Sequence, residues 1–196
     1  MDFCFLKTST RSCVNKSNLS HNEIASNIER CKFTCTKCAA CCTGPDALVI
    51  VSPPEIRALM NATNLFWDEM VAPYPEHLVE QGQHLTFGWT LRHIKDQCIF
   101  LERNCCTVYH LRPWICKTYP FMIDHGQVIV SACQGLNSKS DPFTMSKLIQ
   151  DLTSRTCAEE KEEAEIAYWY HIFTQSPPDT KTSLIVIDSE GIKPQP

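Results

Sequence analysis

The chain has 196 residues, 43% of them hydrophobic and 20% charged, which suits one compact domain or a small domain with appendages. Eighteen basic residues stand against 22 acidic ones, a formal charge of −4, and that argues against a general nucleic-acid or anionic-membrane binder, because counterion release needs a basic surface. Thirteen cysteines exceed what packing alone requires. The opening MDFCFLKTSTRSC has no basic-plus-apolar leader, and no apolar run reaches the length of a membrane span. The expected location is therefore the cytoplasm, whose reducing conditions disfavour a disulfide framework, and an odd cysteine total would leave one thiol unpaired in any case.

In chain order, residues 1–19 are polar and aperiodic and read as an arm. Ser20-His21-Asn22-Glu23 has capping-box spacing, and Ile24 and Ile28 follow at i,i+4, which predicts a helix over about 20–30. Residues 31–46 hold a cysteine run and a Gly44-Pro45-Asp46 turn. Leu48 to Val51 reads as a short strand, and Ser52-Pro53-Pro54-Glu55 as a helix start with Ser at the N-cap and Pro at N1. A short helix over Leu65 to Met70 follows, then a loop through Pro73, Pro75 and Gly82.

From residue 84 the pattern turns to strands. Leu85 to Leu91 alternates with period two and reads as one strand. Cys98-Ile99-Phe100-Leu101 and Cys106-Thr107-Val108-Tyr109 read as two arms of a hairpin, and Pro113 as the opening of a helical turn. Phe121 to Ile123 and Val128 to Val130 flank Asp124-His125-Gly126, a second hairpin. Residues 142–173 read as a helix whose apolar stripe contains Phe143, Met145, Leu148, Ile149, Leu152, Ile166 and Tyr170, with Glu159 to Glu165 as a solvated acidic face. Residues 176–196 read as a tail with one strand-like piece, Leu184 to Ile187. The division expected is an arm and short helix over 1–30, a cysteine domain over 31–140, a helix over 141–175 and a tail over 176–196. The fold class expected is α+β, short helices around a small antiparallel sheet organised by a cysteine metal cluster, with a C-terminal helix.

The spacing of the cysteines carries the chemistry. Cys35, Cys38, Cys41 and Cys42 form C-x-x-C-x-x-C-C. A C-x-x-C turn lets two thiolates converge on one metal, and a third cysteine three residues on completes a cradle. Cys42 faces away from its neighbour, toward a second metal or another ligand set. Cys98, Cys106, Cys116 and Cys133 bring the thiolates to eight, enough for two tetrahedral zinc ions, two iron–sulfur clusters, or one cluster with spare thiols. C-x-x-C-x-x-C with a remote fourth cysteine is closer to a ferredoxin run than to a zinc ribbon, which favours an iron–sulfur cluster, [4Fe–4S] in type, with zinc as the alternative. Lys32, Lys37, Arg112 and Lys117 stand beside cysteines and would balance the negative charge of a thiolate centre. Cys31, Cys35 and Cys38 have the C-x-x-x-C-x-x-C spacing of radical S-adenosylmethionine enzymes, but no β/α repeats accompany it. His93 and His110 lie near the later cysteines, as weaker candidates. Cys4, Cys13, Cys31, Cys105 and Cys157 read as fillers or free thiols.

These residues resemble the YkgJ-type CxxCxxCC cysteine-cluster family, a zinc- or iron-chelating domain. The resemblance runs through Phe33-Thr34-Cys35, Cys38, Cys41-Cys42, Pro54-Glu55-Ile56, Cys98-Ile99-Phe100-Leu101, Cys106-Thr107-Val108-Tyr109, Arg112-Pro113, Cys116, Tyr119-Pro120-Phe121 and Cys133-Gln134-Gly135. It selects Cys106 over Cys105 and leaves Cys31 outside. Ala39 stands where the family has Gly, and Lys117 where it has Arg. The resemblance implies a metal-binding protein with a redox, metal-handling or structural role, whose partners are metal ions and a protein partner or substrate. A related domain in flagellin lysine N-methylases makes a protein-modifying enzyme the alternative.

Overall fold

The structure, a computed structural model, describes residues 21–44, 47–139, 141–178 and 184–195. Helix α1 (His21–Cys31) turns Ile24 and Ile28 inward, 2% and 0% exposed. Ser20, its predicted N-cap, lies outside the described residues. The cysteine run that follows forms no regular element except a 3-10 turn over Ala40–Cys42. Strand β1 (Ile50–Val51) leads into α2 (Pro53–Thr63), whose expected N-cap Ser52 is held by Glu55: the Ser52 N–H donates to Glu55 Oε2 at 2.9 Å and its hydroxyl to the same oxygen at 2.8 Å. Asn64 ends the helix in the left-handed region, φ 59°. Helix α3 (Trp67–Met70) follows as expected.

The loop expected next carries strands β2 (Val71–Pro73) and β3 (Leu78–Glu80). The single strand expected over 85–91 is two: β4 (Gln83–Phe87) and β5 (Trp89–Leu91), divided at Gly88, φ +80°. That left-handed residue turns the chain, so β5 lies between β1 and β2 while β4 joins a different sheet. Three small hairpins follow: β6 (His93–Ile94) with β7 (Gln97–Cys98), β8 (Leu101–Glu102) with β9 (Cys105–Cys106), and, after α4 (Trp114–Thr118), β10 (Phe121–Asp124) with β11 (Gln127–Val130). Each has a two-residue loop at positive φ: Lys95-Asp96 (52°, 61°), Arg103-Asn104 (48°, 66°) and His125-Gly126 (45°, 73°). Such loops match the right-handed twist of the strands. The 98–109 segment therefore belongs to two hairpins, with Cys98 in the first and Cys106 in the second.

Helix α5 (Pro142–Gln175) starts on Asp141, whose carboxylate accepts from the Thr144 N–H at 2.8 Å. Its first half packs Met145, Leu148, Ile149 and Leu152 against α1, Phe33 and Phe121, and this is one core. Phe143, expected in the same stripe, is 80% exposed. The C-terminal end of α5 covers a sheet of order β13-β12-β4-β3 with Phe173 at the centre of a smaller core. Among the described residues, no helix is long and apolar enough to cross a membrane.

The segment read as a tail is a hairpin, β12 (Leu184–Asp188) and β13 (Gly191–Gln195). β12 pairs parallel to β4, the one parallel ladder in a fold otherwise antiparallel among the described strands. Ile185, Val186 and Ile187 are fully buried. Asp188, equally buried, accepts from Trp89 Nε1 at 2.7 Å, from Lys193 Nζ and from the Glu190 N–H at 2.9 Å, so its charge is satisfied. Val186 and Trp89 belong to the largest core, which also holds Leu91, Cys98, Phe100 and Val108. The class is mixed α+β with a C-terminal helix, as the sequence predicts.

Candidate metal centre

Two left-handed residues, Lys37 (φ 55°) and Ala39 (φ 60°), fold the cysteine run back on itself. The Cys42 N–H then bonds the Ala39 carbonyl at 2.8 Å to close the 3-10 turn. The run is pinned at its start to the loop after β11. The Thr34 N–H donates to the Gly135 carbonyl at 3.0 Å, Asn137 N–H to Cys31 O at 2.9 Å, and Ser138 N–H to Lys32 O at 2.8 Å. Phe33 locks the same junction edge-on against Phe121, 5.6 Å between centroids. On the other side, Trp114 N–H at the start of α4 donates to Glu55 Oε1 at 2.7 Å, and buried Arg155 of α5 donates to Thr118 Oγ1 at 2.8 Å. Cys116 is thereby held between two helices.

These constraints deliver Cys35, Cys38, Cys41, Cys42, Cys98, Cys106, Cys116 and Cys133 to the wall of one cavity of about 640 Å³. Thiols up to 98 positions apart in sequence meet there. Cys105, set aside on sequence grounds, also lines it and is exposed. Cys31 does not; its thiol bonds the Asn27 carbonyl of α1 at 3.4 Å, so the C-x-x-x-C-x-x-C spacing of Cys31, Cys35 and Cys38 is not assembled into one set. Cys157 lies on α5 away from the cavity, and Cys4 and Cys13 fall outside the described residues. His110 is on the wall. His93 pairs with Cys98 across the β6–β7 ladder, its Nε2 buried without a hydrogen-bond partner. As the side chains are oriented, no three His, Cys, Asp or Glu groups among the described residues converge on one ion-sized point.

The thiols perturb one another. The Cys41 and Cys42 sulfurs lie 3.8 Å apart, so Cys42 does not face away from its neighbour as the spacing suggests. Hydrogen bonding from Cys42 holds Cys41 down to about 6, against burial and with help from Arg112. The same bond, together with burial, pushes Cys42 far above the usual thiol range. Burial, then the neighbouring Cys98, Cys41 and Cys106, pushes Cys116 up to about 12. Cys98, Cys106 and Cys133 are also raised, burial first in each case. Apart from Cys41, these crowded thiols hold their protons until a cation compensates the charge, so a metal entering here would release them.

Cations stand around the mouth. The Arg112 guanidinium lies 3.8 Å from the Tyr109 ring centroid, donating from Nε to Tyr109 O at 3.0 Å and from Nη1 to Cys116 O at 3.2 Å. Lys37 Nζ lies 5.0 Å from the same ring, whereas Lys117, expected as a counter-charge, stacks on Trp114 at 4.6 Å, off the cavity wall. Burial, more than the neighbouring thiol of Cys35, pushes the Tyr109 hydroxyl up. Sequence reasoning had Arg112 and Lys37 as counter-charges. The tyrosine between them was legible only as a position in the family pattern.

The donor set is all thiolate, and it suits zinc or an iron–sulfur cluster alike. Eight thiols spread around this cavity leave room for more than one ion or for inorganic sulfide. The CxxCxxCC family model, "Putative zinc- or iron-chelating domain", matches residues 34–164. No curated protein and no solved structure matches the chain.

Proposed function

Because the chain belongs to the CxxCxxCC family, we propose that its eight pattern cysteines, Cys35, Cys38, Cys41, Cys42, Cys98, Cys106, Cys116 and Cys133, bind metal as iron–sulfur cluster ligands, with [4Fe–4S] the cluster type. The observation that carries this reading is the convergence of all eight on one cavity about 640 Å³ in size. The left-handed turns at Lys37 and Ala39 support it, since they fold back a run whose Cys35, Cys38, Cys41 and Cys42 all line that cavity. Arg112 and Lys37 meet the negative charge that thiolate ligation leaves. When bound, such a group supplies redox chemistry or a structural crosslink; the protein's part is to hold the thiolates, keep Cys98 buried, and balance charge. A site of reduced thiols belongs in a reducing compartment, the cytoplasm.

Anaerobic purification tests the reading. A brown protein with broad absorption near ~400 nm and acid-labile sulfide is expected. A colourless protein with stoichiometric zinc would reassign the metal. A protein that stays folded and metal-free in chelator would end the proposal, because ligand sites of this kind couple metal binding to folding.

A further inference from the structure

A second cavity, of about 380 Å³, adjoins the one walled by thiols. Cys41 and Cys116 line both. The rest of its wall is largely apolar, with Val49, Ile115, Phe121 and Met122 among the lining side chains. Into this wall the fold sets one charge. Arg155 of α5 lines the cavity although the residue is only 6% exposed. Burying a guanidinium is costly unless its donors are engaged. Arg155 Nε donates to Glu159 Oε1 at 2.7 Å, and Nη1 donates to Thr118 Oγ1 at 2.8 Å. Glu159 follows four positions on along the same helix with its side chain 53% exposed, so it balances the charge from the solvent side. Those bonds occupy Nε and Nη1, and among the described residues Nη2 makes none. The buried side-chain atoms without a hydrogen-bond partner are Gln83 Oε1 and His93 Nε2. Nη2 is not one of them, so it faces open space, and the cavity is the space that Arg155 lines.

We propose that this second cavity binds a small organic monocarboxylate, with its acid group on Arg155 and its apolar body against Ile115, Phe121 and Met122. The chemistry of the wall selects that class. Two bonds fix the guanidinium plane, which leaves a positioned donor for a carboxylate oxygen. Arg155 is the only charged residue among the described residues of the wall, so nothing there meets the second charge of a phosphate dianion. A ligand without an acid group leaves the buried donor unpaired, and a site of this kind discriminates against it. The volume lies at the small-molecule end of ligand cavities, which begins at about 300 Å³. The proposal stands on the apolar wall and one guanidinium and does not depend on metal filling the neighbouring cavity. Where metal is bound, the occupant lies beside Cys41 and Cys116, at the edge of the proposed centre.

The test is calorimetric titration of the full-length chain, purified anaerobically and assayed for metal in the same sample, with phenylacetate and with its neutral isostere phenylacetamide. Saturable binding of a single phenylacetate per chain is expected, with phenylacetamide weaker by roughly tenfold or more. Arg155→Gln should bring phenylacetate down to the level of the amide. Arg155 also ties α5 to Thr118, so Met122→Trp keeps the test informative if the first variant does not fold. Position 122 is 37% exposed and accepts a larger side chain, which fills the cavity from its rim. Met122→Trp should lose both compounds and keep the metal content and melting temperature of the wild type. Equal binding of acid and amide, full binding of phenylacetate to folded Met122→Trp, or no saturable binding of phenylacetate below about 10 mM would each overturn the proposal. The metal reading is decided separately, by the iron, sulfide and zinc found in the same sample.

Discussion

Ala39 holds a left-handed conformation, φ 60°, at the bend that starts the 3-10 turn of the cysteine run. An L-residue with a Cβ pays roughly 1 kcal/mol there relative to glycine. The family's glycine at this position is thus explained by backbone geometry. Ala39→Gly is expected to raise stability by about 1 kcal/mol in chemical denaturation without changing metal content. Glu162 gives a pH prediction. Burial, then the charges of Glu55, Asp188, Glu159 and Glu190, raises its carboxyl to about 7. The unfolded chain releases that proton near ~4.3, so the folded state holds it longer, and stability falls as pH rises between those values and stays lower above 7. Glu162→Gln should therefore add about 1 kcal/mol at pH 8, after allowance for solvent screening of a half-buried group, and nothing at pH 4. Among the thiols, Cys116→Ser should lose metal and destabilise the fold, while Cys157→Ser, away from the cavity, should do neither; metal analysis beside thermal melts checks both.

At the scale of elements, the junction between the cysteine run and the loop after β11 is the part most sensitive to a small change. A Cβ on Gly135 would overlap the Thr34 carbonyl oxygen and crowd Phe33. Gly135→Ala is expected to cost about 1–3 kcal/mol and to loosen Cys133 from Cys35, read as a lower melting temperature with faster metal release. The elements also show what was legible in the sequence. Ser52-Pro53-Pro54-Glu55 gave the α2 start because its capping residues act locally. His125-Gly126 announced its hairpin because glycine signals positive φ. Lys95-Asp96 and Arg103-Asn104 make the same kind of turn without a glycine, so the strands they join were merged into one hairpin. Gly88 was overlooked because the alternation from Leu85 to Leu91 runs through it unbroken, although the chain changes sheets there. All eight cysteines singled out by their spacing line one cavity wall. Cys105 was left out because adjacency to Cys106 does not reveal whether a side chain faces the same space.

For the whole molecule, the C-terminal hairpin matters most among the features that sequence alone understated. A strand-like run with a Pro-rich approach looks like a tail when its partner is distant, and β12 pairs with β4, about 100 positions earlier in the chain. Its Ile185, Val186 and Ile187 are fully buried, each contributing roughly 1.5–3 kcal/mol. Deletion of residues 184–196 would uncover Leu85 and Phe173 and unpair Trp89 Nε1, and should abolish cooperative unfolding in a calorimetric melt. The molecule thus joins conventional apolar cores to a cavity walled by thiols, and metal is proposed to fill that cavity. Iron, acid-labile sulfide and zinc measured on the anaerobically purified full-length chain test this most directly. Iron with matching sulfide, lost together with the folded state on chelation, is the predicted result; a folded chain with neither iron nor zinc would contradict it.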